Sequence, residues 1–487
     1  MRKKIVIIIP VILLLLISGV FFIYSYNNFK VDEKFSSIPL SFNPYDSTST
    51  YEWNGALIKV QGGFIKGKFG DKNTEELLLR SLSPTPMLTI KSKSDKDSSY
   101  LVRLENVNVA KIVINNGTAS FSVVDPHTLR INLKLKAAEE KTLVFTSKEP
   151  KESSEFVILG DNRNGYQTFS NIIEQINAFS PSFTIDNGDL VFGGEPNKYR
   201  LFYETVSKLQ IPLYTTLGNH DIRGNGRSIY TNLFGPPYYS FDYLNTHFIF
   251  LDSSRGWAEK MTIPEEQYKW LENDLQGAQG KKIFVISHIP STDPRSQKAP
   301  NTLPEIPGVQ KTGFFERLMN NYSAYKSLDH AFPDKEEAKR FENMMSNYKV
   351  DTVFLSHIHS YFSFLKDGVR YVISGGAGAE LLTDNSYYHY LRVKVAPQEN
   401  LLEIVQLPSP PNNLQDRYLA ATQLFASSTY KEYTTTVLTI LTIFIVILAW
   451  ILWHTRKSWW QGLKFLTLWL FDIVKFAKAR FKQLRTK

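Results

Sequence analysis

The chain changes hydrophobic texture four times. Ile5–Ile23, "IVIIIPVILLLLISGVFFI", is a 19-residue run without a charge. From residue 31 to about 148, short stretches such as "ALIKVQGGFIKGKF", "MLTIKSKS", "LRINLKL" and "KTLVFTS" alternate apolar and polar positions. Turn-type residues break them about every ten positions. Period two at that spacing predicts an antiparallel β-sandwich. After Glu155 the pattern becomes short buried strands alternating with helical stretches: "FVILGD", helical "YQTFSNIIEQINAF", "SFTIDNGD", helical "KYRLFYETVSKL", then "PLYTTLGNHD". The strands "HFIFLDSS", "KIFVISH" and "DTVFLSH" follow, with helices around "PEEQYKWLENDL" and "KEEAKRFENMMSNY". That alternation predicts an α/β sheet arrangement. The stretches "YFSFLKDG", "RYVISGG", "YHYLRVKV" and "LLEIVQL" are expected to complete a second sheet. Tyr433–Trp453 is again an uncharged apolar run, of 21 residues.

Six segments result. They are a cytoplasmic start with a first membrane span (1–30), the β-sandwich (31–148), an α/β domain (149–410), a stalk (411–432), a second span (433–453) and a basic tail (454–487). A span needs roughly 20 apolar residues, which both runs supply. The Pro-, Asn- and Ser-rich stretch from Ser291 to Pro333 is expected to be a long loop beside the site, where substrate selection often lies.

Charge sharpens the membrane reading. The net charge is +9, of which Arg2–Lys4 contribute +3 and the tail from His454 contributes +8, leaving the body at −2. A near-neutral body gives no reason to expect a nucleic-acid partner. Basic residues flank the outer end of each apolar run, so both termini are expected in the cytoplasm and residues 27–432 outside it. A cleaved signal peptide is the alternative for the first run. The tail reads as a basic amphipathic helix on an anionic leaflet, with Leu466, Trp469, Ile473 and Phe476 among its lysines and arginines. A nucleic-acid-binding tail or a protein partner's helix are the alternatives. With no cysteine in the chain, disulfides, thiolate metal sites and cysteine nucleophiles are excluded.

The candidate chemistry lies at five strand ends. Each apolar run stops at Asp161, Asp189, Asn219-His220-Asp221, His288, or His357-x-His359. In α/β sheets, sites form beyond the carboxyl ends of strands. Hard metal ions take carboxylate, imidazole and amide oxygen ligands. Each motif alone has a plain structural alternative: a turn at Asp189, a helix cap at Asn219, a strand-end histidine at His288. Period two places His357 and His359 on one side of an extended segment.

"GD" at Gly188-Asp189, "GNHD" at 218–221, "SH" at 287–288 and "SHIH" at 356–359 resemble the calcineurin-like metallophosphoesterases. "QYKWLENDL" and "VISGGAGAEL" are similar to their purple-acid-phosphatase-like bacterial branch, and the likeness covers roughly 155–407. The resemblance implies a four-layer αββα sandwich. It implies two divalent or mixed-valence metal ions (Mn, Fe, Zn or Ca) and hydrolysis of a phosphomonoester or phosphodiester by a metal-activated hydroxide. By position, Asp189 would bridge the two ions. Asn219, His288 and His357 would hold the second, and Asp161 and His359 the first. His220 would touch the phosphoryl group or protonate the leaving oxygen, oriented by an acid such as Asp221.

Two positions depart from the pattern. Arg163 stands where Asp-x-His would put a histidine on the first metal, and Phe192 stands where purple acid phosphatases carry a tyrosine. The first metal would keep Asp161, Asp189 and His359 with water, a weaker site, and Arg163 is either a clamp on a phosphate oxygen, for which its fork suits it, or a salt-bridged or solvent-facing arginine. Asn164 and Asn187 are further residues expected to line the site, and Asp252 is read as structural. The expected substrate is a lipid head group, an envelope polymer or a nucleotide. Two other functions compete: a degenerate domain that binds a phosphorylated ligand or a protein partner without turnover, and a scaffold whose working part is the basic tail.

Overall fold

Five phenylalanines explain why two sheets of this protein face each other. Phe156, Phe183, Phe248, Phe284 and Phe354 each sit on a different strand and are all fully buried. Phe156 stacks on Phe183 with centroids 5.4 Å apart and meets Phe248 edge-on at 5.3 Å. Such pairs contribute about 0.5–1.5 kcal/mol beyond the area they bury. The computed structural model describes residues 35–71, 74–115, 119–149, 154–254, 261–296, 330–381, 386–396 and 400–451, with isolated positions beyond.

The strands carrying these rings are β12 (Ser154–Leu159), β13 (Phe183–Asp186), β16 (Thr246–Phe250), β17 (Lys282–Ile286) and β18 (Thr352–Leu355). β12 and β13 pair in parallel with each other and then with β14 (Leu213–Thr215). β21 (His389–Val395) and β22 (Leu401–Gln406) extend that sheet antiparallel on the other side of β12, giving the order β14-β13-β12-β21-β22. The second sheet runs β15-β16-β17-β18-β20-β19, with β15 (Tyr239–Tyr243), β19 (Tyr361–Lys366) and β20 (Val369–Ser374). Its strands β16, β17, β18 and β20 are parallel. Parallel strands bring their carboxyl ends to one edge, and that places the site.

Helices cover the outer faces. α1 (Tyr166–Phe179), α2 (Pro196–Val206) and α3 (Gly226–Phe234) bury Phe169, Ile172, Phe202 and Phe234 with Val157 and Leu159. α4 (Glu265–Gly277) and α5 (Lys335–Asn347) bury Trp270, Leu271 and Phe341 with Val285 and Val353 of the second sheet. Asp334 caps α5, its carboxylate accepting from the N–H groups of Glu336 and Glu337. α3 and β15 are not signalled by the hydrophobic pattern. α6 (Leu414–Glu432) spans most of the residues expected to form a stalk; its Arg417 is buried and donates to the carbonyls of Leu381 and Ser386.

Before the α/β region lie two further sheets. One orders β1-β4-β5-β7-β10-β9, from β1 (Phe35–Ser37), β4 (Gly63–Phe69), β5 (Glu76–Ser81), β7 (Ser98–Glu105), β9 (Ser120–Asp125) and β10 (Thr128–Leu135). The other orders β2-β3-β6-β11-β8, from β2 (Thr48–Trp53), β3 (Ala56–Gln61), β6 (Met87–Ser92), β8 (Ile112–Asn115) and β11 (Glu140–Ser147). Ile58, Val60 and Ile90 of one and Leu79, Val102 and Ile131 of the other belong to a single buried cluster. Every pairing is antiparallel except β5 with β7. His127 follows the β9 turn and is partly buried.

The described residues up to Glu432 form one compact unit, and those from Tyr433 onward belong to another. In the latter, among the described residues, Thr434–Ile451 is the one helix long and apolar enough to cross a membrane, with mean hydropathy 2.4 and no residue buried in the protein. The first apolar run, nearly all of the basic tail and most of the 291–333 insert lie outside the described residues.

Candidate metal centre

Each candidate ligand sits just past a strand, and three of them sit there on unusual backbone. Asp161 (φ 57°), Asp189 (φ 56°) and His357 (φ 70°) are all in the left-handed region, which costs a residue with a side chain of order 1 kcal/mol or more. The turns are held by hydrogen bonds between loops. Asp161 N–H donates to Gly188 O at 3.0 Å, and His357 N–H donates to Asp161 Oδ2 at 2.8 Å. His357 and His359 therefore do not share one side of a strand. The chain turns between β18 and β19, and the two rings serve different groups.

Among the described residues, two sets of side chains could hold a metal ion: Asp189, His288 and His357, and Asp161, Asp189 and His359. Within each set the ligand atoms lie within 4.8 Å of one another. Asp189 belongs to both. His288 Nε2 is 3.3 Å from Asp189 Oδ1 and 4.0 Å from Asp161 Oδ1, and His359 Nε2 is 3.5 Å from Asp161 Oδ1. Asp161 Oδ1, Asn219 Oδ1 and His288 Nε2 are buried and lack a hydrogen-bond partner among the described residues. Buried polar atoms left this way are costly unless something meets them. Carboxylate, amide and imidazole donors converging on one place fit a divalent cation.

Three imidazoles are oriented alike. Nδ1 of His288 lies 2.7 Å from Asn187 O, Nδ1 of His359 lies 2.7 Å from Glu380 O, and Nδ1 of His220 lies 2.7 Å from Phe192 O. A carbonyl only accepts, so each Nδ1 donates and each ring turns its Nε2 to the site. The partner of His220 is thus a backbone carbonyl rather than Asp221. The Asp221 carboxylate instead accepts three backbone N–H bonds, from Asp189 (3.0 Å), Val191 (3.0 Å) and Gly218 (2.8 Å). It braces the loops that carry Asp189 and Asn219. Asn187 also braces, its amide donating to Ser287 O and Phe354 O. Asn164 is buried in a left-handed turn, and Asp252 pairs with Arg227 and accepts from Ser254.

Arg163 is buried among the ligands rather than displayed. Its Nη1 lies 3.3 Å from Asp189 Oδ2 and contacts His220 Nε2. Its Nη2 lies 3.3 Å from His359 Nε2 and 2.6 Å from Glu380 Oε1. Burial works against ionising Asp189, but His220, His288 and Arg163 outweigh it and hold its carboxyl far below the usual range. Burial likewise opposes ionising Glu380, and Arg163 again prevails and lowers it. Burial pushes His220 down to about 4; Asp189 opposes this, while Arg163 and Arg223 add to it.

A family model described as calcineurin-like phosphoesterase matches residues 154–361. The chain carries a calcineurin-like phosphoesterase domain. A probable glycerophosphodiester phosphodiesterase GpdQ of Arcobacter nitrofigilis is 30% identical over 138 residues, covering 26% of this chain and 48% of that protein. Glycerophosphodiester phosphodiesterase GpdQ of Enterobacter lignolyticus is 28% identical over 130 residues, covering 25% and 47%. The chain thus spans about half the length of these relatives. Among solved structures, the purple acid phosphatase PPD1 of yellow lupin is similar at 14% identity and TM-score 0.38, covering 66% of this chain and 70% of that one.

Three residues at the candidate metal centre, Glu380, Arg223 and His330, carry no signal in the sequence, and Phe192 does there a task its sequence position does not announce. Glu380 pairs with Arg163. Exposed Arg223 places Nη2 2.9 Å from His220 Nε2. His330 stacks edge-on against His357 at 5.3 Å. Phe192 offers its carbonyl to His220 and its ring to Arg163 at 5.4 Å. The glycines of "GGAGAEL" were a usable signal, since runs of glycine mark close backbone approach. A Cβ on Gly375 would lie 2.5 Å from Asp161 Oδ2.

Proposed function

We propose that this protein is a metal-dependent phosphodiesterase anchored in a cell membrane, with its catalytic body outside the cytoplasm and both termini inside. The observation that carries the chemistry is the set of orphaned, buried donor atoms on Asp161, Asn219 and His288 around the shared Asp189. The two curated relatives act, by name, on glycerophosphodiesters, which favours a diester over a monoester. The apolar helix Thr434–Ile451 and the basic residues beyond it support the anchoring, and we read the two sheets before residue 148 as a β-sandwich.

Asp161, Asp189, Asn219, His288, His357 and His359 are the residues that would hold divalent metal. When bound, the metal supplies Lewis-acid charge beside the phosphoryl group. The exposed guanidinium of Arg223, 2.9 Å from the Nε2 of buried His220, can meet phosphoryl oxygens, and His220 holds it in place. Charge-assisted bonds from a guanidinium suit a transferring phosphoryl group. Bis(p-nitrophenyl) phosphate and p-nitrophenyl phosphate, assayed with the full chain in detergent and Mn²⁺, test the reading. Faster diester turnover that falls in H220A is expected. No turnover of either ester, with H220A indistinguishable from the wild type, would refute it. A second reading, a domain that binds a phosphorylated ligand without turnover, draws on Arg163 standing among the metal ligands, and the same assay decides between them.

A further inference from the structure

The guanidinium of Arg163 occupies a position that requires an explanation. It touches two of the three side chains in the Asp161–Asp189–His359 group, through Asp189 Oδ2 and His359 Nε2, both at 3.3 Å. Its side chain is 2% exposed. Phe192 lies across one side of it. Glu380 completes the enclosure at 2.6 Å, and the backbone carbonyl of the same residue fixes His359.

The two loops involved are laced together. Ala377 N–H donates to Gly160 O at 3.1 Å, and Ala379 N–H donates to Asp161 O at 2.8 Å. Gly165 packs so closely on Gly378 that a Cβ there would lie 2.2 Å from the Gly378 carbonyl oxygen. Arg163 N–H is itself tied to Asp189 O at 3.0 Å. The register of Arg163 against Glu380 is thus set by backbone as well as by charge. An arginine that serves only to clamp substrate needs none of this.

We propose that Arg163, held by Glu380, takes the place of a first metal ion, so that the protein works with one tightly bound cation at Asp189, Asn219, His288 and His357. The inference rests on the phosphodiesterase reading and refines it. Arg163 supplies a fixed positive charge to Asp189 where a two-metal centre would place an ion. An ion bound by Asp189 and His359 at the usual ~2.1 Å would stand within a few ångströms of the guanidinium, like charge against like charge. Asp161 Oδ1 lies 4.0 Å from His288 Nε2, on the side of the site where the remaining cation would be held. Glu380 is a positioning residue: it belongs to neither group of candidate ligands but determines where Arg163 lies.

Metal content tests this directly. The full chain in detergent, stripped with chelator and equilibrated with excess Mn²⁺, is expected to hold one ion per chain by elemental analysis and to give a mononuclear electron paramagnetic resonance signal. R163H is expected to hold two ions with a spin-coupled signal. E380Q releases the guanidinium and should tighten binding of a second Mn²⁺ by roughly 10–100-fold, while E380D stays close to the wild type. Should R163H fail to fold, the wild-type stoichiometry and the E380Q–E380D contrast still decide. Two coupled ions in the wild type, with diester hydrolysis intact, would overturn this inference alone. No bound Mn²⁺ and no hydrolysis would overturn it together with the phosphodiesterase reading.

Discussion

Asp221 offers a sharp separation between two roles that sequence alone would confuse. Its carboxylate is fully buried and accepts from the backbone N–H groups of Asp189, Val191 and Gly218 at 2.8–3.0 Å. Oδ2 takes two of these bonds and Oδ1 takes the third. A hydrogen bond to a charged group contributes about 1.5–3 kcal/mol, and a buried donor left unpaired costs about 1–3 kcal/mol. D221A orphans all three donors at once. Because one carboxylate ties the two loops together their losses overlap, so about 4–5 kcal/mol is expected, an exceptional value for one substitution. D221N keeps an oxygen for Asp189 and Gly218 but turns an amide N–H toward Val191, and should cost about 1–3 kcal/mol. Pulse proteolysis of the full chain in detergent across a urea series measures both. The order wild type, D221N, D221A in decreasing midpoint is expected, with metal affinity falling in the same order. If instead D221N lowered diester turnover while both midpoints stayed within about 0.5 kcal/mol of the wild type, Asp221 would be orienting His220, and the bracing role would be wrong.

Other substitutions test other parts. A Cβ on Gly218 would lie 2.2 Å from both the backbone N and Oδ1 of Asp189, so G218A should lose about 1–3 kcal/mol and weaken Mn²⁺ binding. G277A, at the end of α4 with no atom within 4 Å of its Cβ, should instead gain about 0.4–1 kcal/mol in the same urea series. His247 gives a pH signature: burial alone would lower it, but hydrogen bonds to Asp242 and Asp274 push it up to about 9. Its folded value is raised above the unfolded 6.5, so its contribution is complete below pH 6.5 and is lost as pH rises through 9. The stability gap between wild type and H247N should therefore be about 2–3 kcal/mol at pH 6, less any screening at half-exposed Asp242, and should close by pH 10. R417A removes the donors to Leu381 O and Ser386 O, and should lower hydrogen-exchange protection across α6 without altering the pairing of β12 with β13.

Sequence and structure agree most where side-chain type carries the signal. Apolar runs ending in Asp, Asn or His were readable because parallel strands deliver their carboxyl ends to one edge, and Asp161, Asp189, His288, His357 and His359 do meet there. The periodicity of "YQTFSNIIEQINAF" coincides with α1 because its buried face, Phe169, Ile172, Ile173 and Ile176, keeps helical spacing. Roles played by backbone were not readable. Nothing about a phenylalanine announces that its carbonyl will orient His220, or about Asp221 that it will accept from three main-chain donors. Strand alternation would link His357 and His359, whereas a left-handed turn at His357 separates their tasks. Glu380 carries no signal of its own in the sequence because its meaning depends on Arg163, more than two hundred positions away. α3 follows Gly224 and Asn225, residues that read as a turn, and its helix is secured by packing Tyr230 and Phe234 against α2.

Removal and return of metal tests the chemistry most directly. The full chain in detergent is stripped with chelator, and its hydrolysis of bis(p-nitrophenyl) phosphate is followed before and after Mn²⁺ is restored, alongside D189N. Because Asp189 belongs to both groups of ligands, the wild type should lose activity and regain it, while D189N regains none. Diester hydrolysis that survives stripping, or that D189N recovers to the wild-type rate, would contradict a metal centre built on Asp189.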